Sequence, residues 1–307
     1  MDLRQLAAFR EVARLSNFSR AAARLGYAQS TLSAQVQGLE RELDVQLFDR
    51  LSRTVSLTAA GQALLPHAER LLELAVEART AVGGAVAGDG ELAGTISVSA
   101  PESLLTYRVP AVLSRFRAQH PGVSIDLRPT VIGRFRGETR RAIATGDVEL
   151  AFVLDTPLAV AGFESERLLR EPISVIAAPE HRLAAIRDAG PADLDGESLL
   201  LPEAPDSGCA YRAQFERQLA ENHVTTVGAL EFASIETVKQ CVVAGMGISV
   251  LPSIAIDADV AAGRLVRLPW RETFEVYTQL VWNARRSTSP ARAAFMATAR
   301  ATFQQLG

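Results

Sequence analysis

Cysteine, lysine and long apolar runs are what this 307-residue sequence has least of. Its two cysteines, Cys209 and Cys241, are too few for a disulfide framework and lack the spacing of metal ligands. No apolar run approaches the roughly 18 to 20 residues that span a bilayer. Met1-Asp2-Leu3-Arg4 opens an amphipathic helix pattern, not a signal peptide, so a cytoplasmic protein is expected. A Walker loop, a Gly-x-Gly-x-x-Gly fingerprint and a His-Glu-x-x-His pair are all missing. His67, His120, His181 and His223 form no recognisable pairing, and a cysteine nucleophile needs a base close by. Enzymatic activity, a metal and a cofactor are therefore not expected. Lysine occurs once, at Lys239, but a coding bias toward arginine accounts for that and excludes nothing.

The hydrophobic fraction of 48% with 22% charged residues is that of a globular protein, long enough for two or three domains. A net charge of −3 argues against a chain coated in nucleic acid, but the average conceals an asymmetry. Residues 1 to 60 carry eight arginines against six acids, and the remainder holds the negative excess.

That basic segment has a helical pattern. Leu3, Leu6, Phe9 and Ala13 share one face, as do Ala21, Ala22 and Leu25 in the next stretch, which Gly26 ends. A third helix is expected from about Gln29 to Leu43, burying Leu32, Val36, Leu39 and Leu43 and offering Gln29, Ser30, Ser33 and Gln37 outward. Gly38 inside it costs roughly 1 kcal/mol relative to Ala. "LFDRLSRTVSLTAAG" alternates like a small hairpin with Arg50 and Arg53 near its tip. A helix, a glycine turn and a second helix with short polar side chains has the shape of a helix-turn-helix, whose second helix enters the major groove. The competing reading of the same spacing is a structural bundle with a solvated polar face.

From Thr58 to about Val86 a broad stripe of Leu64, Leu65, Leu71, Leu72, Leu74, Ala75, Ala78 and Val82 marks one long helix, which packs on a second copy or spans domains. The glycine-rich "GGAVAGDGELAG" at 83 to 94 is the strongest domain boundary. Beyond it strands and helices alternate, with "TISVSA", "VSIDLRPT", "ELAFVLD", "ISVIAAP", "SLLLPE", "VGALEF" and "GISVLP" as strands. "LLTYRVPAVLSRFRAQHP" is expected to be one helix. Two such sets predict α/β subdomains on largely parallel sheets, with ligands beyond strand ends and at helix starts.

The stretches "AAARLGYAQSTLSAQVQGLERELDVQLFDR" and "LTAAG", then "VPAVLSRFRAQHP" and "VVAGMGISVLP", closely resemble the LysR-type transcriptional regulators over essentially the whole chain. The resemblance implies an α/β protein with an N-terminal winged helix-turn-helix, a long linker helix and a two-subdomain effector domain built like a periplasmic binding protein. The expected boundaries are 1–58 for the DNA-binding domain, 59–90 for the linker and hinge, and 91–307 for the effector domain. Within the last, subdomain I takes 91–161 and 267–307 and subdomain II takes 162–266. Relatives are usually tetrameric activators or repressors that bend promoter DNA in response to a small molecule, which implies a homodimer assembling to a homotetramer.

Carried over position by position, Gln29 and Ser33 match the base-reading and phosphate-contacting residues, and Arg50 and Arg53 match the basic wing. Relatives often have Ser-Gln-Pro where this chain has Ala28-Gln29-Ser30, so Ser30 or Thr31 takes over a phosphate contact. Ala34 stands where a basic residue is common, which shifts phosphate affinity toward the wing. Strand ends and helix starts meet at Ala100, Pro101, Glu102 and Ser103, at Thr130, Val131 and Ile132, at Glu203 to Cys209, and at Ser234 and Ile235. These match the effector cleft of relatives. Hydroxyls and helix N-termini there suit a small carboxylate or other anion, while Glu102 and Glu203 repel one unless they point away or bind an amine.

The alternative is an oxidant-responsive regulator using Cys209, because some relatives sense oxidants through a cysteine in this part of the chain. Reversible sensing needs a resolving thiol, and "AYRAQFERQLAENH" downstream of Cys209 contains none. Cys241 shares a helix with Val238, Val242 and Val243, where a buried cysteine acts as a small hydrophobe. A metabolite-responsive regulator is the expected function.

Overall fold

Side-chain oxygens placed just ahead of the apolar stripes start the first helices of this computed structural model. It describes residues 1–49, 55–86, 92–130, 137–202, 208–271, 273–286 and 288–306, with side chains for part of 73–86 only. Two units are distinct, Met1–Gly90 and Glu91–Gly307.

In the first unit Asp2 accepts from the N–H groups of Arg4 and Gln5, and the Gln5 side chain accepts the Asp2 N–H in return, which starts α1 (Leu3–Leu15). Asn17 accepts from the Arg20 N–H to start α2 (Phe18–Leu25), and Gly26, at φ 69°, ends it. The helix α3 (Gln29–Leu43) follows Ala28, which has no side-chain oxygen to cap it. Phe9, Val12, Leu32, Val36 and Leu39 are fully buried in the core these helices share. Glu40, buried at the end of α3, accepts from the N–H groups of Leu47 at 2.8 Å and Phe48 at 3.4 Å. It thereby ties α3 to β1 (Phe48–Asp49), which pairs antiparallel with β2 (Ser56–Leu57). The hairpin is present as expected; its tip residues Arg50 and Arg53 lie outside the described residues.

Thr58 gives the "LTAAG" stretch its physical sense. Its Oγ1 donates to the Gln46 carbonyl at 2.7 Å and accepts from the Gly61 N–H at 3.1 Å, at the head of α4 (Ala59–Val86). A Cβ on Gly61 would sit 2.2 Å from the Leu47 carbonyl oxygen, so only glycine lets α4 lie against the hairpin base. Ala68 is buried and Leu64, Leu65 and Leu72 are partly buried against the core, whereas Leu71 is 39% and Leu74 59% exposed. The apolar stripe is therefore divided between its own unit and an open face.

The second unit begins with β3 (Gly94–Pro101), α5 (Glu102–Tyr107), α6 (Val109–Gln119), β4 (Val123–Thr130), α7 (Gly137–Thr145), β5 (Leu150–Asp155) and β6 (Phe163–Arg170). It continues with β7 (Ile173–Ala177), β8 (Ser198–Pro202), α8 (Ala210–Glu221), β9 (Gly228–Phe232), α9 (Ile235–Val243), β10 (Ser249–Pro252) and α10 (Ser253–Ala261). The return limb adds β11 (Val266–Arg267), β12 (Tyr277–Asn283) and α11 (Pro290–Phe303). One sheet runs β4-β3-β5-β12-β6, parallel among β3, β4 and β5 and antiparallel at β12. The other combines β10-β7-β11 with the parallel pair β8-β9 through a bridge from Leu199 to Ile248. Gly247 stands at that bridge, where a Cβ would meet the Ser198 carbonyl at 2.4 Å, which accounts for the second glycine of "AGMGISVLP".

Three sequence expectations are corrected here. The sheets are mixed, not largely parallel, because β12 and β10 each run against the strands beside them. The single helix expected from Leu104 breaks at Arg108 (φ −116°, ψ −51°), just before Pro110, which lacks the N–H that would continue the ladder. The chain also crosses to the second sheet at 171–172 and not at 162, since β6 pairs with β12 along its whole length.

Replacing Gly61 by Ala is expected to lower stability by about 1 to 3 kcal/mol through overpacking against Leu47. Urea unfolding monitored on the N-terminal unit checks this; an unchanged midpoint would show that the contact relaxes freely.

Candidate DNA-reading helix and effector cleft

The outer side of α3 is polar because its inner side is spent on the core. Gln29, Ser30, Thr31, Ala34 and Gln37 are exposed and Ser33 is half-buried, while Leu32 and Val36 between them are fully buried. The outward residues are those expected from the sequence, but Leu43, expected on the buried face, lies at the last turn and is 39% exposed. The α2 residue Ser19 donates from its hydroxyl to Gln29 Oε1 at 3.1 Å, which commits the amide oxygen of this exposed residue and leaves its N–H2 group as the donor. In the same unit Arg24 reaches buried Glu11 at 3.0 Å and so ties α2 to α1. Arg50 and Arg53 lie outside the described residues.

In the second unit the ends of β3 and β4 lie side by side, with Ala100 opposite Pro129 and Pro101 opposite Thr130. The helix α5 starts there, and its first residue crosses to the other sheet's side. Glu102 accepts from the Ser234 hydroxyl at 3.0 Å and from the Ile235 N–H at 3.2 Å, at the start of α9. Ser234 makes no side-chain cap of its own helix. The structure thus brings together Ala100, Pro101, Glu102, Thr130, Ser234 and Ile235; Ser103 follows on α5 with its side chain buried. The Thr130 hydroxyl is buried and lacks a hydrogen-bond partner among the described residues. Val131, Ile132 and Glu203 lie outside the described residues. Cys209, the residue before α8, is only 4% exposed and belongs to the main core with Leu201, Ala210 and Tyr211.

A second contact is made by Tyr107, the last residue of α5. The Tyr107 hydroxyl donates to Glu236, and Lys239 Nζ donates to Tyr107 at 3.2 Å, to the Ala255 carbonyl at 2.9 Å and to Asp259 at 3.0 Å. Glu236 completes the set at 2.9 Å from Lys239, and Arg264 pairs with Asp259 from the other side. Burial alone disfavours the Lys239 ammonium, but its bonds to Glu236, Asp259 and Tyr107 outweigh that and hold its pKa above the ordinary lysine value. Burial likewise opposes the Asp259 carboxylate, and the bonds from Arg264 and Lys239 reverse the sign, so its pKa falls below the ordinary value. Burial, then Glu236, raises the pKa of the Tyr107 hydroxyl.

At the far end of α5, Arg108 makes a bidentate contact with Glu171, Nε to Oε1 at 3.1 Å and Nη2 to Oε2 at 2.8 Å. Thr278 adds a hydroxyl donor to Glu171 at 2.7 Å, and the Glu171 N–H donates to the Val276 carbonyl. Both crossing segments are held at this one point. Tyr107, Arg108, Glu171, Glu236 and Lys239, which link α5 to α9 and to the crossover, were not singled out from the sequence. The visible signal was Lys239, a single lysine beside Val238 and Val242 on an otherwise apolar helix face.

Residues 3–62 match the family of bacterial regulatory helix-turn-helix proteins, lysR family, and residues 89–304 match the LysR substrate binding domain. The HTH-type transcriptional regulator YwqM of Bacillus subtilis is 34% identical over 304 residues, which covers 99% of this chain and all of that protein. A full-length OxyR variant from Pseudomonas aeruginosa superposes with a TM-score of 0.68 at 26% identity, covering 99% of this chain and 95% of that one. The regulator CbnR in complex with its target DNA shares the fold at 22% identity and a TM-score of 0.62, covering 98% of this chain and all of that one.

Because Asp259 is held ionised in the folded chain, its contribution is present above the ordinary carboxylate pKa and fades as pH falls through the lowered one. Asp259→Asn, which leaves a buried ammonium short of a partner, is expected to cost about 3 kcal/mol at neutral pH. The gap from wild type should narrow below the ordinary Asp range, as urea unfolding across pH measures; a gap independent of pH would contradict the pairing.

Proposed function

Because the chain belongs to the LysR family of transcriptional regulators, which are DNA-binding proteins with an effector domain and not enzymes, we propose that α3 reads promoter DNA in the cytoplasm under control of an anionic metabolite. Gln29 and Ser33 face the major groove as the base-reading and phosphate-contacting residues, and Ser30 or Thr31 takes over a further phosphate contact. Arg50 and Arg53 reach the flanking backbone. The observation that supports this is the exposed run of short polar side chains on α3 directly over a fully buried apolar face.

The assembly we propose is a homodimer through α4 that pairs into a homotetramer. Exposed Leu71 lines an open pocket with Met1, Asp2, Leu3, Arg4 and Leu6, a surface suited to a second copy. Two reading helices then lie about 34 Å apart, or a multiple of it. The edges β4 and β9 expose Leu127 and Leu230, which supports a separate contact between effector domains.

The effector is a small carboxylate or similar anion. Support comes from the start of α9, where a hydroxyl and a backbone N–H already hold a carboxylate, that of Glu102. An oxidant-responsive regulator using Cys209 is the second reading, favoured by the likeness to OxyR. The burial of Cys209 in the main core and the packing of Cys241 against a different cluster speak for the metabolite.

Gel shifts on promoter and random DNA test the proposal. Gln29→Ala should lose about 1 to 3 kcal/mol on the promoter alone, whereas Arg53→Ala should weaken both and flatten the salt dependence. Equal losses on both DNAs for Gln29→Ala would remove it from the reading face. An effector response that survives in Thr130→Val and Ser234→Ala would move the cleft elsewhere. A shift that responds to peroxide, and stops responding in Cys209→Ser, would establish the second reading.

A further inference from the structure

The short helix α5 carries Glu102 at its start and Tyr107 and Arg108 side by side at its end, and all three contacts reach across the crossover. Arg108 meets Glu171 where the chain changes sheets, Tyr107 meets Glu236 and Lys239, and Glu102 meets Ser234 and Ile235. Six residues at 1.5 Å each put the Glu102 end roughly 9 Å from the Arg108 end. A rotation about the crossover therefore leaves the Arg108–Glu171 contact nearly in place and separates Glu102 from α9.

The chemistry at that separating end is specific. The first N–H groups of a helix have no partner inside it and favour negative charge. Ser234, one residue ahead of α9, would ordinarily accept from one of them, yet its hydroxyl is turned the other way and donates to Glu102. The Ile235 N–H goes to the other oxygen of the same carboxylate. One side chain from the first sheet's side thus takes two donors on the second's.

We propose that Glu102 is a built-in clasp, a selectivity-determining carboxylate that closes the cleft by occupying the start of α9 and that an acidic effector must displace. The proposal rests on the reading of this cleft as the effector site. It gives the cleft a reference state in which the same donors are satisfied with or without effector. A bare monocarboxylate exchanges one carboxylate for another and leaves Glu102 without a partner. A ligand that also brings a cationic group pairs with the released Glu102, so the clasp selects for the second kind. Tyr107 holds the adjoining turn against Glu236 and Lys239, so losing Glu102 loosens the start of α9 without releasing α5 altogether.

Amide hydrogen exchange on the full-length protein, with no effector, tests the clasp. In Glu102→Ala the Ile235 amide should exchange roughly tenfold faster than in wild type, and Glu102→Gln, which retains an acceptor, should fall between. Acetate titrated into Glu102→Ala should slow that amide again, because it supplies the missing carboxylate, and should leave wild type unchanged. Equal exchange in wild type and Glu102→Gln, or acetate protection of wild type as strong as that of the variant, would overturn the proposal. Should Glu102→Ala not fold, the Glu102→Gln comparison and the acetate titration of wild type still decide it. Failure here leaves the cleft assignment standing, since that assignment falls only if Thr130→Val and Ser234→Ala keep the effector response.

Discussion

A guanidinium and a carboxylate, both withdrawn from water, meet where the effector unit's chain passes between its two sheets. Arg108 is 7% exposed and Glu171 only 1%, and Thr278 donates to the same carboxylate. Removing two charges from water costs several kcal/mol each, and bidentate geometry with added hydrogen bonds is what offsets it. The consequence is positional. Arg108 ends α5, Glu171 lies on the outgoing crossover, and Thr278 and Val276 belong to the returning limb. One polar contact therefore fixes the two crossings and the end of α5. The contacts of Glu102 and Tyr107 with α9 follow from where that helix is pinned.

The N-terminal unit is built on a different economy, in which short-range caps set the helices and a small core orients them. Asp2, Asn17 and Thr58 each satisfy amides at a helix start from within three residues in the sequence. Glu40, near the end of α3, satisfies two amides of the hairpin from seven and eight residues away. With its inner face committed to Leu32, Val36 and Leu39, α3 has only one direction in which Gln29 and its neighbours can point. The exposed polar face is a by-product of packing, sharpened by Ser19, which fixes one end of the Gln29 amide.

These two regimes explain what the sequence made legible. The three helices, the hairpin and the exposed polar face were readable because apolar spacing and caps are local. In the effector unit, strands such as Ile173–Ala177 and Ser249–Pro252 were equally plain, being short apolar runs. β6 was not, since Glu164, Glu166, Arg167 and Arg170 on a sheet-edge strand read as solvent-facing chain. The break at Arg108 was hidden inside a continuous helical pattern. Glu102 was recognised as an obstacle to an anion, but its partners on α9 are brought to it by the fold and not by sequence distance. The pairing of Arg108 with Glu171 is of the same kind, and no local pattern announces it.

Whether this buried pair holds the crossover is tested most directly by a double-mutant cycle on the full-length protein. Urea unfolding of Arg108→Met, Glu171→Gln and the double variant supplies the four stabilities. Each single variant should lose about 3 to 5 kcal/mol, because each strands a buried partner. The double variant should lose clearly less than their sum, with a coupling above about 1 kcal/mol. Losses that simply add, within about 0.5 kcal/mol, would mean the two side chains act independently and that the crossover is held by something else.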